Sequence, residues 1–186
     1  MYKEAVGSYA FGLNYDNNEH PEFWTGKSSV HFELSQFEDA LVCSTNALKM
    51  RMSKSDPEKP ELDYDAVRIN ILSIYELKKP ELLQGVQTGL LITYSKHPAR
   101  FETLKYIAYT YYFREDYKNA IHYFDKYSMY GKDDYEMLYF YAVALYIEFD
   151  TTKAKTYFRK VIELIISSTN PKISRQQCAF LAVSYY

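Results

Sequence analysis

The chain has 186 residues, 47% hydrophobic and 25% charged, with 22 Lys and Arg against 24 Asp and Glu. That length allows one compact domain or a short array of repeats, and the apolar content excludes wholesale disorder. A net charge of -2 argues against a nucleic-acid footprint, which usually needs a basic face, and nothing suggests a polybasic membrane patch; neither nucleic acid nor membrane is an expected partner. Cys43 and Cys178 make no metal or redox spacing, and the first residues lack the basic start and apolar core of a signal peptide. The apolar stretches 82–94 and 139–149 are interrupted or too short to cross ~30 Å of hydrocarbon. The expected setting is cytoplasmic and reducing. Tyr is plentiful, with 21 copies.

A short pattern recurs along the chain: an aromatic, two polar residues, Ala, then an aliphatic residue. It stands at residues 2–6, 37–41 and 117–121, and a weaker copy at 151–155 keeps the Ala. The anchors are Ala5, Ala40, Ala120 and Ala154, and Gly85 fills the slot between Ala40 and Ala120. A period near 34 residues marks a helical solenoid. With each anchor as position 20, position 8 holds Ser28, Ser73, Ala108 and Ala142, all small. Position 4 holds Trp24, Ile69, Leu104 and Leu138, and position 11 holds His31, Glu76, Tyr111 and Leu145. Positions 4, 8 and 11 share one stripe of a first helix, and 20, 24 and 27 share one stripe of a second.

In chain order, residues 2–13 read as a second helix without its first. Helix pairs follow at about 21–52, 66–98, 101–132 and 135–168, and 175–186 reads as a lone first helix. A polar insertion at 51–62, with Ser53, Ser55, Pro57 and Pro60, lengthens one spacing. Asn170 and Pro171 should end a helix, and Gly131 is suited to left-handed helix closure. The apolar ending implies either a piece of a longer array or an open end that pairs with a second copy.

The run Leu104, Ala108, Tyr111, Tyr117, Ala120, Phe124 resembles the tetratricopeptide (TPR) family, and Trp24, Ser28, Phe37, Ala40, Ala47 resemble a second copy. The resemblance implies an all-α, right-handed superhelical solenoid of antiparallel helix pairs: about four full repeats plus a half-repeat at each end. It also implies a concave groove lined by first-helix positions 2, 5, 9, 12 and 13. Carried over residue by residue, the groove holds Asn70, Ile74, Glu102, Lys105, Tyr109, Tyr112, Tyr139, Val143 and Tyr146. Some members grip a chaperone's C-terminal tail with Lys, Asn and Arg. The matching positions here are Thr25, Ser29, Ile71, Glu102 and Tyr106, or Asn70, Ile74, Tyr106, Glu136 and Phe140 one repeat later. No chaperone tail is expected to bind.

Chemistry is sparse. His20, His31, His97 and His122 have no ligand spacing, and His31 fits a packed core slot. Asp133 and Asp134 precede a helix start and suit its dipole. There is no phosphate loop, nucleophile elbow or paired Cys and base. The expectation is a non-enzymatic scaffold without cofactor or metal, binding a protein or peptide in a Tyr-rich groove. Two alternatives stand beside it: a self-associating module that forms a homodimer through its open ends, and a peptide-sensing regulatory domain.

Overall fold

The computed structural model describes residues 4, 5, 7–9, 12, 20–54, 62–131 and 133–167. The helices are α1 (Pro21–Glu33), α2 (Phe37–Lys54), α3 (Tyr64–Glu76), α4 (Leu83–Lys96), α5 (Glu102–Tyr112), α6 (Tyr117–Ser128), α7 (Tyr135–Ile147) and α8 (Thr151–Ser167), with a 3₁₀ turn at Pro80–Leu82. No strand occurs among the described residues. Glu4, Ala5, Gly7, Ser8, Tyr9 and Gly12, within the expected half-repeat 2–13, are helical. Of the expected insertion, 51–54 form the last turn of α2, and 55–61 lie outside the described residues. The expected helix 175–186, and Asn170 and Pro171, also lie outside them.

Each first helix closes in the same way. The N–H of Ser35 donates to Phe32 O (2.9 Å), and that of Gln36 to His31 O (2.9 Å). The same two bonds recur at Lys78 and Lys79, at Glu115 and Asp116, and at Phe149 and Asp150. This double closure requires a left-handed residue at its first position. Ser35, Lys78, Glu115 and Phe149 supply it, with φ of 58°, 54°, 62° and 65°. Gly131 does not close a helix in this way, because no described glycine has a positive φ. Its lack of a side chain serves packing instead, since a Cβ there would run into the Tyr127 ring.

These closures correct the register of the second pair. The left-handed residue stands five places before Ala40, Ala120 and Ala154, and seven after Ser28, Ala108 and Ala142. Counted from Lys78, the same slots are Leu83 and Ile71, both fully buried. Gly85, expected as the anchor, is exposed, and a Cβ on it would meet nothing within 4 Å. The sequence spacing misled because α4 has 14 residues where α6 has 12, so the distance to the next anchor is not one period. The shift also moves the neighbouring stripe. Ala66, Asn70 and Ser73 now match Thr103, Ile107 and Thr110 of α5 and Met137, Tyr141 and Ala144 of α7, and all nine are buried.

The chain divides into two compact units, Met1–Val86 and Gln87–Tyr186, with the division inside α4. In the first unit α1 packs on α2, and α3 packs on both. Ser28, Ala40 and Ala47 are fully buried at the close approach of α1 and α2, while Trp24 is half-buried. The Asn70 amide donates to Ser44 Oγ (3.1 Å) and Thr45 Oγ1 (2.9 Å), tying α3 to α2. Asp63 caps α3 by accepting from the Ala66 N–H (2.9 Å) and also accepts from the Thr25 hydroxyl (2.7 Å) on α1. His31 is buried, its Nδ1 2.8 Å from Gln36 Oε1. In the second unit α5, α6, α7 and α8 pack in sequence, and α5 also meets α7. Ala108, Ala120, Ala142 and Ala154 are fully buried there, and Phe124, Tyr109 and Tyr141 fill the space around them. Small residues let the helix backbones approach, and interdigitated rings fill what is left to the density of a protein interior.

Candidate functional site

The corrected register gives every first helix the same two surface features. Position 2 is acidic throughout (Glu22, Asp65, Glu102, Glu136), where it complements the positive end of the helix dipole. Position 12 is aromatic throughout: Phe32, Tyr75, Tyr112 and Tyr146. These ring positions sit one residue before the end of each helix, or at its end in α5, beside the left-handed turn.

In the second unit a run of ring contacts links α5, α7 and α8 through Tyr112, Phe113, Phe140, Tyr139 and Phe158. Phe140, on α7, packs edge-on against Tyr112 (5.0 Å between centroids) and Phe113 (5.4 Å). Tyr139 is half-buried beside Phe140 and Phe158, at 5.5 and 6.2 Å, and Val143 is half-buried. Tyr146 is 62% exposed and Ile147 39%. Phe149, in the turn that follows, is 90% exposed. An L-residue in the left-handed region costs ~1–2 kcal/mol, so Phe149 is a strained and uncovered aromatic.

The expected groove residues do not all reach this surface. Tyr109 is 1% exposed, ringed by Tyr106, Phe113, Phe124 and Phe140 at 5.2–6.3 Å, because Phe140 of α7 closes over it. It is a core residue. Asn70 and Ile74 are buried too, since in the corrected register they occupy positions 7 and 11, which face inward. Glu102 and Lys105 are tied internally. Lys105 donates to Glu102 Oε1 (2.7 Å) and Asp134 Oδ2 (2.9 Å), and the Tyr127 hydroxyl donates to Glu102 Oε2 (2.8 Å). Burial works against the Lys105 charge, but Tyr106, Asp134 and the bonds to Glu102 and Asp134 outweigh it, and its pKa lies above the usual lysine value. Asp134 also caps α7 through the Met137 N–H (3.0 Å). Thus Tyr112 and Tyr139 belong to the ring contacts, Val143 and Tyr146 follow Tyr139 at four and seven residues on α7, and Phe149 is the residue that repeat spacing passed over. Its signal was present: the other three closing residues are Ser, Lys and Glu.

The remaining polar clusters are structural. In the second unit the Tyr141 hydroxyl bonds Asp125, which also takes the Lys153 ammonium at 2.9 Å. Burial, then the Asp125 bond, raises the Tyr141 pKa, and burial likewise raises that of Tyr127. In the first unit a cleft of about 410 Å³ is lined by Glu22, Thr25, Arg51, Leu62, Asp63, Tyr64 and Asp65. Arg51 spans it, 3.0 Å from Glu22 and 3.8 Å from Asp63. Among the described residues no three His, Cys, Asp or Glu side chains gather as metal ligands, and no helix is long and apolar enough to cross a membrane.

Paired helices, a common closure and recurring small-residue contacts define an all-α helical-repeat protein. Residues 135–165, which hold α7 and nearly all of α8, match the tetratricopeptide repeat family model, and the fold is that of tetratricopeptide proteins. MamA (residue 41 to the end) from Desulfovibrio magneticus RS-1 is similar, at 16% identity and a TM-score of 0.62, covering 91% of this chain and 88% of that one. YrrB, described as a TPR protein with an unusual peptide-binding site, is similar at 13% identity and a TM-score of 0.56, covering 100% and 84%. The C-terminal part of a TPR repeat-containing protein from Cytophaga hutchinsonii gives 18% identity and a TM-score of 0.55, covering 88% and 59%. No curated protein matches the sequence.

Proposed function

We propose that this chain is a non-enzymatic interaction scaffold that holds a peptide or helix of a partner protein on the ring-lined face of α5, α7 and the turn after α7. One observation carries the reading. Phe149 is held in a left-handed conformation with 90% of its surface exposed, next to the exposed Tyr146. Strained, uncovered aromatics of this kind cost stability, and a partner that buries them recovers it. Tyr and Phe present large rigid surfaces whose ordering costs little entropy, which suits them to a recognition face. The peptide-binding site in the description of YrrB, whose fold this chain resembles, supports the reading.

The test is photocrosslinking from a benzophenone amino acid placed singly at Tyr146, Phe149 or Val42, the last an exposed apolar residue of the first unit. Adducts with one partner protein from positions 146 and 149, absent from 42, are expected. Adducts from 42 alone, or equally from all three, would place recognition elsewhere.

A further inference from the structure

The charges around this face point to the chemistry of what sits on it. Glu115 follows Tyr112 in the turn after α5, and Glu148 and Asp150 flank Phe149 in the turn after α7. Glu115 and Asp150 are exposed and Glu148 is partly so. None of the three makes an ion pair among the described residues. The cations nearest in sequence do not answer them. Arg114 donates to Gln87 Oε1 (2.6 Å) on α4, and Lys118 stands on the second helix, α6. Lys105 is already bonded to Glu102 and Asp134. The exposed aromatics are therefore edged by carboxylates that no cation pairs among the described residues: Asp150 caps α8, its Oδ1 accepting from the Lys153 N–H (3.1 Å), and Glu115 and Glu148 have no ion pair.

We infer that the partner segment is cationic and apolar. Its aliphatic or aromatic side chains lie against Tyr112, Tyr146 and Phe149, and its Lys or Arg side chains meet Glu115, Glu148 and Asp150. This rests on the reading of the face as a partner site. Carboxylates at the rim of an apolar surface select the sign of the partner and steer its approach. Tyrosine faces also attract cations. The protein does this internally, where Lys105 lies 5.0 Å from the Tyr106 ring centre and Lys153 5.2 Å from that of Tyr141. An acidic segment would bring like charges together at Glu115, Glu148 and Asp150.

Fluorescence anisotropy on the full chain tests this with three labelled peptides: alternating Leu and Arg, the same with Gln for Arg, and the same with Glu for Arg. The Arg peptide should bind about ten-fold or more tighter than the Gln peptide, with added salt removing the difference, and the Glu peptide should not bind. Glu115→Gln with Glu148→Gln should bring the Arg peptide close to the affinity of the Gln peptide, and Phe149→Ala should weaken both. If the Gln or Glu peptide binds as tightly as the Arg peptide and still depends on Phe149, the face stands and the cationic partner falls. If the Arg peptide binds regardless of Phe149→Ala, both readings fall. Failure of the Arg peptide to bind overturns the inference, and so does a dimer, seen by light scattering, that Phe149→Ala dissociates, since a second copy would then be the occupant.

Discussion

Replacing Leu83 and Gly85 separately by Ala sets two registers of α4 against each other. Leu83 is fully buried in the slot that Ala40, Ala120 and Ala154 fill in the other pairs. Leu83→Ala removes three carbons from that slot, a transfer loss of roughly 2.4 kcal/mol at ~0.8 kcal/mol per carbon. The cavity left behind brings the cost to about 3–4 kcal/mol. Gly85 lies two residues on, in the same helix but on its open side, and the methyl that the substitution adds would have nothing within 4 Å. Gly85→Ala therefore stabilises by about 0.5–1 kcal/mol, because Ala loses less backbone freedom in a helix. Urea unfolding followed by circular dichroism should show midpoints moved in opposite directions with the slope unchanged. If Gly85→Ala destabilises as much as Leu83→Ala, the period read from the sequence is right and the closure-based register is wrong.

Gly131→Ala should destabilise by about 1–3 kcal/mol, since the Tyr127 ring it would strike is buried and anchored to Glu102; thermal unfolding of the variant checks this. Tyr141 and Tyr127 hold their protons more tightly than the free phenol value of 10.0, and Lys105 more tightly than 10.5. The folded state thus keeps protons that the unfolded chain releases, so their contribution is complete below pH 10.0 and declines as pH rises above it. Urea midpoints should hold steady from neutral pH upward and then fall, and Tyr141→Phe should reduce the fall. Phe149→Gly should raise stability by about 1 kcal/mol in the same unfolding assay, by relieving the left-handed side chain. The same substitution should weaken partner binding.

Helix pairing was legible in the sequence where small residues alternate with large ones at strict spacing. Ser28 with Ala40, Ala108 with Ala120 and Ala142 with Ala154 are buried where that pattern puts them. It failed at α4, where a small residue has two different causes. Gly85 is small on an open helix face, whereas the contact slot there takes a large residue, Leu83. Composition cannot separate these cases, but the backbone closure at Lys78 does. Half of the surface was legible for a similar reason. Positions 12 of α5 and α7 reach the ring-lined face, but Tyr109 does not, because whether a position 9 ring is open depends on the size of Phe140 across from it. That depends on which helix lies alongside, and spacing within one helix carries no such information.

The four closing turns isolate what Phe149 adds. All four share one backbone, and each bears an L-residue where glycine would be less strained. Ser35, Lys78 and Glu115 at least leave polar groups in water. Phe149 adds to the same strain an exposed ring that gains no burial on folding and has no ring partner among the described residues. Its side chain cannot therefore be understood from the stability of the isolated fold. Burying a Phe side chain is worth about 1.5–3 kcal/mol, enough to outweigh the ~1–2 kcal/mol of left-handed strain. The turn fixes the backbone at Phe149 before any partner arrives, so little backbone entropy remains to be lost on binding. A residue that weakens the free protein and strengthens its complex belongs to the complex; Phe149, unlike the buried tyrosines, meets the first condition through its left-handed strain, and the binding assay tests the second.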